Sequence, residues 1–186
     1  MRRLVVTQNI TLDGIVDNAK SWFDPTADTP QNRELQQVTA EHSAASDGFL
    51  VGRVTFEEMR GFWPQRQDDR TGVTDHLNRV AKYVVSRTIG DPGWDGTTVL
   101  RGGAKLVEEI TALKAQDGTD IVLTGSIALA QDLFREGLVD EIRLFVYPVL
   151  LGEGRRLFPA GHAPPELTLV EARTFSGGCV LLRYAL

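Results

Sequence analysis

Short apolar runs alternate along the chain with segments whose apolar positions recur at helical spacing. The runs predict buried strands, and they are "RLVVTQNI" (3–10), "GFLVG" (48–52), "KYVVSRT" (82–88), "TTVLRGG" (97–103) and "DIVLTG" (120–125). Helices are predicted over 31–46, from about Val54, over 73–80, over 104–115 and over 126–137. Ser126 is expected to cap the last of these helices and Gly137 to close it. Strands that alternate with helices favour an α/β fold with a mostly parallel sheet and helices on both faces.

The pattern changes after residue 140, where three strand-like segments follow one another. These segments are "DEIRLFVYPVLL" (140–151), "ELTLVEARTF" (166–175) and "CVLLRYAL" (179–186). The last two flank the short turn "SGG", which predicts a terminal antiparallel hairpin at the edge of the sheet. With no internal repeat and 186 residues, the chain is expected to form one domain over 1–186.

Composition excludes several classes of function. The net charge of −5 disfavours a nucleic-acid-binding protein, although local arginines can still hold a phosphate-bearing small ligand. The single cysteine, Cys179, excludes a disulfide framework, and the three histidines lack metal-ligand spacing, so no metal site is expected. The first residues do not resemble a signal peptide and no segment is long enough to span a membrane, which predicts a cytoplasmic protein.

Three of the predicted strands end in a similar group of small and basic residues. The groups are Gly52-Arg53 with Thr55, then Ser86-Arg87-Thr88, and then Thr124-Gly125-Ser126. A glycine lets a ligand approach the backbone, and the free N–H groups of a following helix attract a pyrophosphate. Arginine adds forked, permanently charged donors for phosphate oxygens. Each group alone is also typical of a turn, a helix cap or a solvated charge, but together they indicate a dinucleotide site.

Longer segments around these strand ends resemble a known superfamily. "FLVGRVTFEEM" (49–59), "YVVSRT" (83–88) and "IVLTGSIALAQDL" (121–133) resemble the cofactor-binding segments of the dihydrofolate reductase superfamily. "ITLDGIVDNAKSW" (10–22) resembles its first strand and the mobile loop that follows. "GLVDEIRLFVYPVLLGEGRRLF" (137–158) is similar to the C-terminal reductase domain of bacterial riboflavin-biosynthesis deaminase-reductases.

The resemblance implies a dihydrofolate reductase-like three-layer αβα sandwich, with a mostly parallel mixed sheet that ends in the antiparallel hairpin. It further implies an NADPH-dependent reductase that transfers a hydride to a small pteridine- or pyrimidine-like heterocycle, and a homodimer. The implied activity resembles that of 5-amino-6-(5-phosphoribosylamino)uracil reductase and of dihydrofolate reductase. The alternative is an NADP(H)-binding module without turnover, which would carry the same strand-end arginines.

The resemblance also assigns the residues that would bind NADPH. Gly52 would allow close approach of the cofactor, and Arg53 and Thr55 would hold its phosphates, while the 2′-phosphate at the adenosine end would be bound by Ser86, Arg87 and Thr88. The pyrophosphate would be bound by Thr124, Gly125, Ser126 and Ile127. The nicotinamide carboxamide would meet the backbone near Thr7 and Gln8.

The substrate side is expected to lie in the loop after the first strand. Asp13 is either a substrate-facing, proton-relaying carboxylate or an ordinary Asp-Gly turn residue. Asp17, Trp22 and Phe23 are assigned to substrate binding, where the two rings would stack on a flat heterocycle. The same rings are also suited to anchoring the loop or to forming a dimer interface.

The sequence departs from both reductase patterns at the substrate side. The first helix offers Glu34 and Glu41, but neither has the apolar surroundings of the carboxylate that dihydrofolate reductases carry there. The riboflavin-type reductases have an acidic residue just before the glycine turn, where this chain has Leu123 and Thr124. This chain therefore lacks one contact expected of a true dihydrofolate reductase and one contact expected of a diaminouracil ribosyl-phosphate reductase.

Overall fold

The computed structural model describes residues 1–17, 22–24, 27–69, 71–158, 161 and 166–186. Within this part of the chain, one mixed sheet has the strand order β4-β3-β2-β5-β1-β6-β8-β7. The strands are β1 (Leu4–Thr11), β2 (Ser46–Gly52), β3 (Ala81–Val85), β4 (Thr97–Leu100), β5 (Asp120–Thr124), β6 (Glu141–Tyr147), β7 (Thr168–Thr174) and β8 (Val180–Ala185). The pairs from β4 to β6 are parallel, and β8 runs antiparallel to β6 and to β7.

Helices cover both faces of the sheet. They are α1 (Pro30–Ala44), α2 (Arg53–Phe62), α3 (Val73–Arg79), α4 (Leu106–Lys114) and α5 (Ile127–Arg135). The start of α1 is specified locally, because the Thr29 hydroxyl accepts the Asn32 N–H at 3.1 Å and Pro30 occupies the first turn.

The face under α4 and α5 carries a continuous apolar core. Leu4 and Val6 of β1, Leu50 of β2 and Leu123 of β5 point to this side and are fully buried. They pack against apolar residues of α4 and α5 such as Ile110. Central parallel strands are normally apolar on both faces, so this face follows the usual rule.

The opposite face, under α1, α2 and α3, has two separate apolar clusters. One joins Leu35 and Val38 of α1 to Phe145 of β6 and to β8. The other joins α2 and α3 to β2 and β3, around Phe56 and Val51. The two clusters lie over opposite ends of the sheet, and the middle strands β1 and β5 lie between them. A gap on this face is the consequence, and it forms the cleft described below.

Most of the expected architecture is confirmed: a mostly parallel sheet, helices on both faces and a C-terminal hairpin turning at residues 176–178. Ser126 occupies the N-cap position of α5 as predicted, but its side chain makes no capping hydrogen bond to that helix. The predicted strand over 82–88 ends early, at Val85, because the residues that follow form a turn. None of the helices described here has the length and apolar character needed to cross a membrane.

Candidate functional site

The three strand ends singled out from the sequence lie side by side at one edge of the sheet. β3, β2 and β5 are neighbours and parallel, so their carboxyl ends meet at the same edge. Gly52 closes β2 opposite Val85 of β3, and Thr124 closes β5 beside it. Open α/β sheets bind ligands at the carboxyl ends of their strands. We refer to these three ends as the strand-end edge.

Hydrogen bonds connect the segments of this edge to one another. The Gly52 N–H donates to the Ser126 hydroxyl at 2.8 Å, and the Ser126 N–H donates to the Thr55 hydroxyl at 3.1 Å. From β1, the Gln8 side-chain amide donates to the Gly125 carbonyl oxygen at 3.0 Å. Three elements therefore fix the turn between β5 and α5 before any ligand binds.

The turn itself has an unusual backbone. Gly125 has a φ of 65° and Ser126 a φ of 52°, and Ser126 is the one non-glycine with positive φ among the described residues. A side chain at position 125 would place its Cβ 3.0 Å from the Thr55 Cγ2, so only glycine fits without a shift. Strained residues of this kind concentrate at ligand-binding sites.

Both helices that begin at this edge have N-termini suited to an anion. In the described residues, no side chain caps the first N–H groups of α2 or of α5. Uncapped N–H groups and the partial positive charge of a helix start bind phosphate groups. Glycine at position 125 has no side chain to fill the space beside them, so the edge can accept an anionic group.

The basic residues of the edge lie at its surface. Arg53 is exposed and pairs with Glu57 at 2.8 Å, an i,i+4 pair that a phosphate can readily replace. Arg87 and Thr88 are exposed next to it, at the end of β3. The buried Ser86 hydroxyl instead accepts two backbone N–H groups of its own turn, from Thr88 and Ile89. The binding roles of these residues stay predictions.

The gap between the two apolar clusters forms a cleft with two chambers. The outer chamber has a volume of about 150 Å³, and its described lining is Asn9, Phe23, Asn32, Leu35, Gln36, Thr39, Trp63, Thr71, Val73, Phe145 and Tyr147. The inner chamber has a volume of about 190 Å³ and lies over Thr7, Gln8, Val122, Thr124 and Arg143, with His42 and His76 on its walls. Asn9 and Phe145 line both chambers.

The floor of the cleft continues directly from the strand-end edge. Thr7 of β1 pairs with Thr124 of β5, and Thr124 is the residue before Gly125. One step further along the same face of β1, Asn9 pairs with Phe145 of β6. The glycine turn and the cleft are therefore contiguous through Thr124 and Thr7, which line the inner chamber.

An aromatic cluster forms one wall at the mouth of the cleft. The rings of Trp22 and Phe23 lie 4.8 Å apart, and they lie 5.2 Å and 5.7 Å from the ring of Tyr147. The Trp22 indole N–H donates to the Asp17 carbonyl oxygen at 2.8 Å. Burial raises the pKa of Tyr147, so its hydroxyl is neutral at physiological pH. Trp22 thus anchors the loop, and Phe23 lines the outer chamber.

Asp13 ties together two loops that are distant in sequence. Its carboxylate accepts the Thr11 hydroxyl at 2.6 Å and the N–H groups of Gly152 and Leu151 at 2.7 and 3.1 Å. The bond from Thr11, followed by that from Gly152, lowers the pKa of Asp13. Its carboxylate is therefore ionised at neutral pH and engaged within the chain. These contacts favour the turn role over the catalytic one, which stays a prediction.

Asp17 belongs to the same loop junction. Its carboxylate accepts the Arg155 N–H at 3.4 Å, and Ile15 forms a β-bridge with Arg156. The loop after β1 is thus fastened to the loop after β6, at the mouth of the cleft. Phe23 lines the outer chamber, whereas Asp13 and Asp17 do not. The substrate-binding role of Asp17 stays a prediction.

A buried ion-pair network supports the inner chamber. The Arg143 guanidinium, 3% exposed, donates to Glu141 at 2.5 Å and to Asp120 at 3.0 Å. Arg183 and Arg3 complete the network at 2.9 and 3.1 Å from Glu141. Burial alone would raise the pKa of Glu141, but the bonds from Arg183 and Arg143 lower it. The guanidinium that faces the chamber is therefore already neutralised.

His42 of α1 lies on the wall of this chamber. Burial, followed by repulsion from Arg143 and Arg183, lowers the pKa of His42 to about 4. The imidazole is therefore neutral at physiological pH. Glu34, on the same helix, lies outside the cleft and accepts the Ser176 N–H at 2.8 Å, so it takes no position like that of a buried substrate carboxylate.

Sequence reasoning missed Asn9, Phe145 and Tyr147 as cleft residues. The missed signal is the pattern of β1, where Thr7, Asn9 and Thr11 place polar side chains on one face of a central strand. Such a strand is expected to be apolar on both faces, so alternating polar residues indicate a cavity above it. The described residues contain no group of three or more His, Cys, Asp or Glu side chains that could hold a metal ion.

Comparison with known proteins gives one consistent result. Residues 2–181 match the family model described as the RibD C-terminal domain. The chain is 31% identical to the uncharacterized Bacillus subtilis (strain 168) protein YyaP, over 98% of this chain and 94% of YyaP. A structure from Shewanella sp. PV-4, named for riboflavin biosynthesis, superposes with a TM-score of 0.76 at 19% identity, covering 98% of both chains.

A fourth comparison extends the likeness to a bifunctional enzyme. The Thermotoga maritima diaminohydroxyphosphoribosylaminopyrimidine deaminase/5-amino-6-(5-phosphoribosylamino)uracil reductase superposes with a TM-score of 0.68 at 15% identity. The superposition covers 99% of this chain and 56% of that one. At such identities the structural likeness establishes the fold, and the dihydrofolate reductase-like α/β fold expected from the sequence is confirmed.

Proposed function

We propose, from the premise that this chain belongs to the RibD C-terminal domain family, that it is an NADPH-dependent reductase of a small heterocyclic substrate. The observation that carries the proposal is the continuity between the strand-end edge and the cleft. Thr124 borders both, because it lines the inner chamber and precedes the glycine turn. A dinucleotide held at the edge would then have its reactive ring beside a cavity large enough for a second ring.

The chain supplies the binding groups for such a cofactor. Backbone N–H groups at the starts of α2 and α5 would hold the pyrophosphate, and Gly125 keeps the space beside them open. Arg53 and Arg87 would bind the 2′-phosphate at the surface. When bound, the nicotinamide supplies a hydride. The protein's part is to align the two rings and to exclude water from the cleft.

The cleft favours a reductase over a binding module without turnover. A module that only senses the nucleotide needs the strand-end edge and no second cavity. Here the outer chamber offers the rings of Phe23, Trp63 and Tyr147 next to a polar floor, which is the usual lining of a small-molecule site. The expected substrate is therefore a flat ring system that can stack and form hydrogen bonds.

A binding experiment tests the cofactor assignment. Isothermal titration of the protein with NADPH and with NADH should give tighter binding of NADPH. Arg53→Ala and Arg87→Ala should each weaken NADPH binding about tenfold, the size of one lost charged hydrogen bond, and weaken NADH much less. Arg79→Ala is the matched control, since Arg79 is an exposed arginine at the end of α3, near the start of β3 and away from the edge.

Two results would contradict this part of the proposal. Equal losses for NADPH and NADH would mean that the arginines do not read the 2′-phosphate. Absence of binding of either nucleotide to the wild-type protein would remove the cofactor altogether. Turnover is tested separately by following NADPH oxidation with pterins, flavin precursors and quinones as acceptors. Oxidation that needs an acceptor supports the reductase, while binding without oxidation across this panel favours the module. The homodimer and the cytoplasmic location stay predictions.

A further inference from the structure

Asn9 differs from the other amide side chains of the outer chamber. Asn32 donates from its side-chain nitrogen to the carbonyl oxygens of Asp24 and Ala27, both at 2.7 Å, so its donors serve the loop before α1. Asn9 makes no side-chain hydrogen bond with any residue that the structure describes. Its amide offers one donor group and one acceptor, both available to a ligand.

The position of Asn9 determines which part of a bound ligand its amide donor and acceptor can reach. It is half-buried on the floor of the cleft and lines both chambers, two residues along β1 from Thr7. Its partner across the sheet is Phe145, and Tyr147 follows on the same strand face. A planar ring that contacts the aromatic side chains of this cleft would therefore present an edge to the Asn9 amide.

The electrostatic character of the two chambers limits the chemical class of ligand that the cleft can bind. Each described residue that lines the outer chamber is uncharged at neutral pH, including Tyr147, whose pKa burial raises. In the inner chamber, the Arg143 guanidinium already bonds to two carboxylates. The surroundings of Asn9 thus favour an uncharged ring and recognition through neutral hydrogen bonds.

We propose that Asn9 is the specificity-determining residue of the cleft and that it binds a ring edge on which a hydrogen-bond donor stands next to an acceptor, as in a lactam. The amide of asparagine matches such an edge with two parallel hydrogen bonds. This inference rests on the proposed function only in taking the cleft as the substrate site. It adds the residue that selects the substrate and the chemical feature that is selected.

Two probes that differ at their ring N–H groups test the inference. Lumazine has N–H groups at N1 and N3 beside its two carbonyl oxygens, whereas 1,3-dimethyllumazine keeps both carbonyl oxygens and carries a methyl group on each of these nitrogens. Binding of each probe is followed by calorimetry and by tryptophan fluorescence, because Trp63 lines the outer chamber and Trp22 stands in the wall at its mouth. The wild-type protein should bind lumazine about tenfold more tightly than the dimethyl compound.

Two variants of Asn9 identify the residue responsible. Asn9→Ala removes both groups and should abolish the preference for lumazine. Asn9→Leu keeps about the same side-chain volume but has neither donor nor acceptor, so it should also lose the preference without opening a cavity. Gln37→Ala is the control, since Gln37 is an exposed amide on α1 that lies outside the described lining of both chambers. This control should retain the wild-type preference.

The outcomes separate this inference from the proposed function, because the probe titrations need neither NADPH nor turnover. Equal affinity of the wild-type protein for both probes, or binding of neither, overturns the role of Asn9. A preference that survives in Asn9→Ala and Asn9→Leu overturns it as well. In each of these cases NADPH binding and acceptor-dependent oxidation would still support the reductase. Conversely, a lumazine preference that depends on Asn9 would stand even where NADPH fails to bind.

Discussion

The strand-end edge and the cleft are adjacent, yet different kinds of chemical group form them. The edge offers mainly backbone groups, from a glycine turn and two helix starts, which the hydroxyl groups of Ser126 and Thr55 brace through bonds of 2.8 and 3.1 Å. The cleft is lined by residues of α1, α2, α3, β1, β2, β5, β6 and the loops around them. The edge therefore suits a ligand feature common to many molecules, the pyrophosphate, while the cleft suits a particular ring.

The two regions also differ in how they are supported. The edge is held by a few neutral hydrogen bonds near the surface, among them the bond from Gln8 to Gly125. The cleft floor rests on the buried charges of Arg143, Glu141 and Asp120. Substitutions at the edge should consequently change binding more than stability, and substitutions beneath the cleft should change stability first.

The largest effect is expected from Arg143→Met. Removing this guanidinium leaves Glu141 and Asp120 buried with fewer partners, and should lower the free energy of unfolding by about 3 kcal/mol. Urea unfolding monitored by circular dichroism measures the change. Arg135→Met is the control, because Arg135 is about half exposed and pairs with Asp132 on the surface of α5, where the loss should be below about 1 kcal/mol. Equal stabilities of the two variants would show that Arg3 and Arg183 compensate fully.

A somewhat smaller effect is expected from Gly125→Ala, and it should concern binding. The new Cβ would lie 3.0 Å from the Thr55 Cγ2 in a turn with positive φ, so the turn must shift. NADPH affinity should fall about thirtyfold, or roughly 2 kcal/mol. Gly137→Ala is the matched control: φ is 64° at this glycine too, but it lies at the far end of α5 with open space around it. Both variants should lose similar stability, and only Gly125→Ala should lose affinity.

The smallest effect concerns pH and His42. The folded-state pKa of His42 is about 4, below its ordinary value of 6.5, so the unfolded chain binds the proton more readily. Stability contributed by this residue is therefore present above about pH 6.5 and is lost as pH falls toward 4. Between pH 7 and pH 5 the loss should be about 1–2 kcal/mol.

Comparison of the wild-type protein with His42→Gln isolates this contribution. Other groups titrate over the same range, including His76, whose pKa is lowered by burial and then by Arg79 and Lys82. Urea unfolding at both pH values should therefore show a loss for each protein, with a smaller loss in His42→Gln. Identical losses would place the pH sensitivity elsewhere in the molecule.

The same contrast explains what the sequence alone could predict. The edge was predictable because its parts are contiguous: Gly52, Arg53 and Thr55 span four positions, and Thr124 to Ile127 are consecutive. Local strings of this kind carry a local backbone geometry. Such segments do not show which residues hydrogen-bond to each other across the edge. Ser126 was therefore expected to cap its own helix, whereas its hydroxyl accepts the Gly52 N–H.

The cleft was not predictable in the same way, because its residues meet only through the packing of distant elements. Phe145 and Asn9 lie 136 positions apart yet pair on adjacent strands. Asp13 was assigned from a dipeptide, and its actual partners, Leu151 and Gly152, lie in another loop. The alternating polar residues of β1 were the one local sign of a cavity, and they gave no indication of which helices would border it.

The junction of the two loops at the cleft mouth has a mechanical consequence. Asp13 and Asp17 bind backbone N–H groups on the far loop, and the Trp22 indole in turn hangs from the Asp17 carbonyl oxygen. The two loops are therefore coupled to each other at the mouth of the cleft rather than independent. A ligand that displaces the Trp22 indole would therefore shift the loop after β6, whose residues lie more than a hundred positions later in the chain. Lengthening either loop alone would move the other loop out of register.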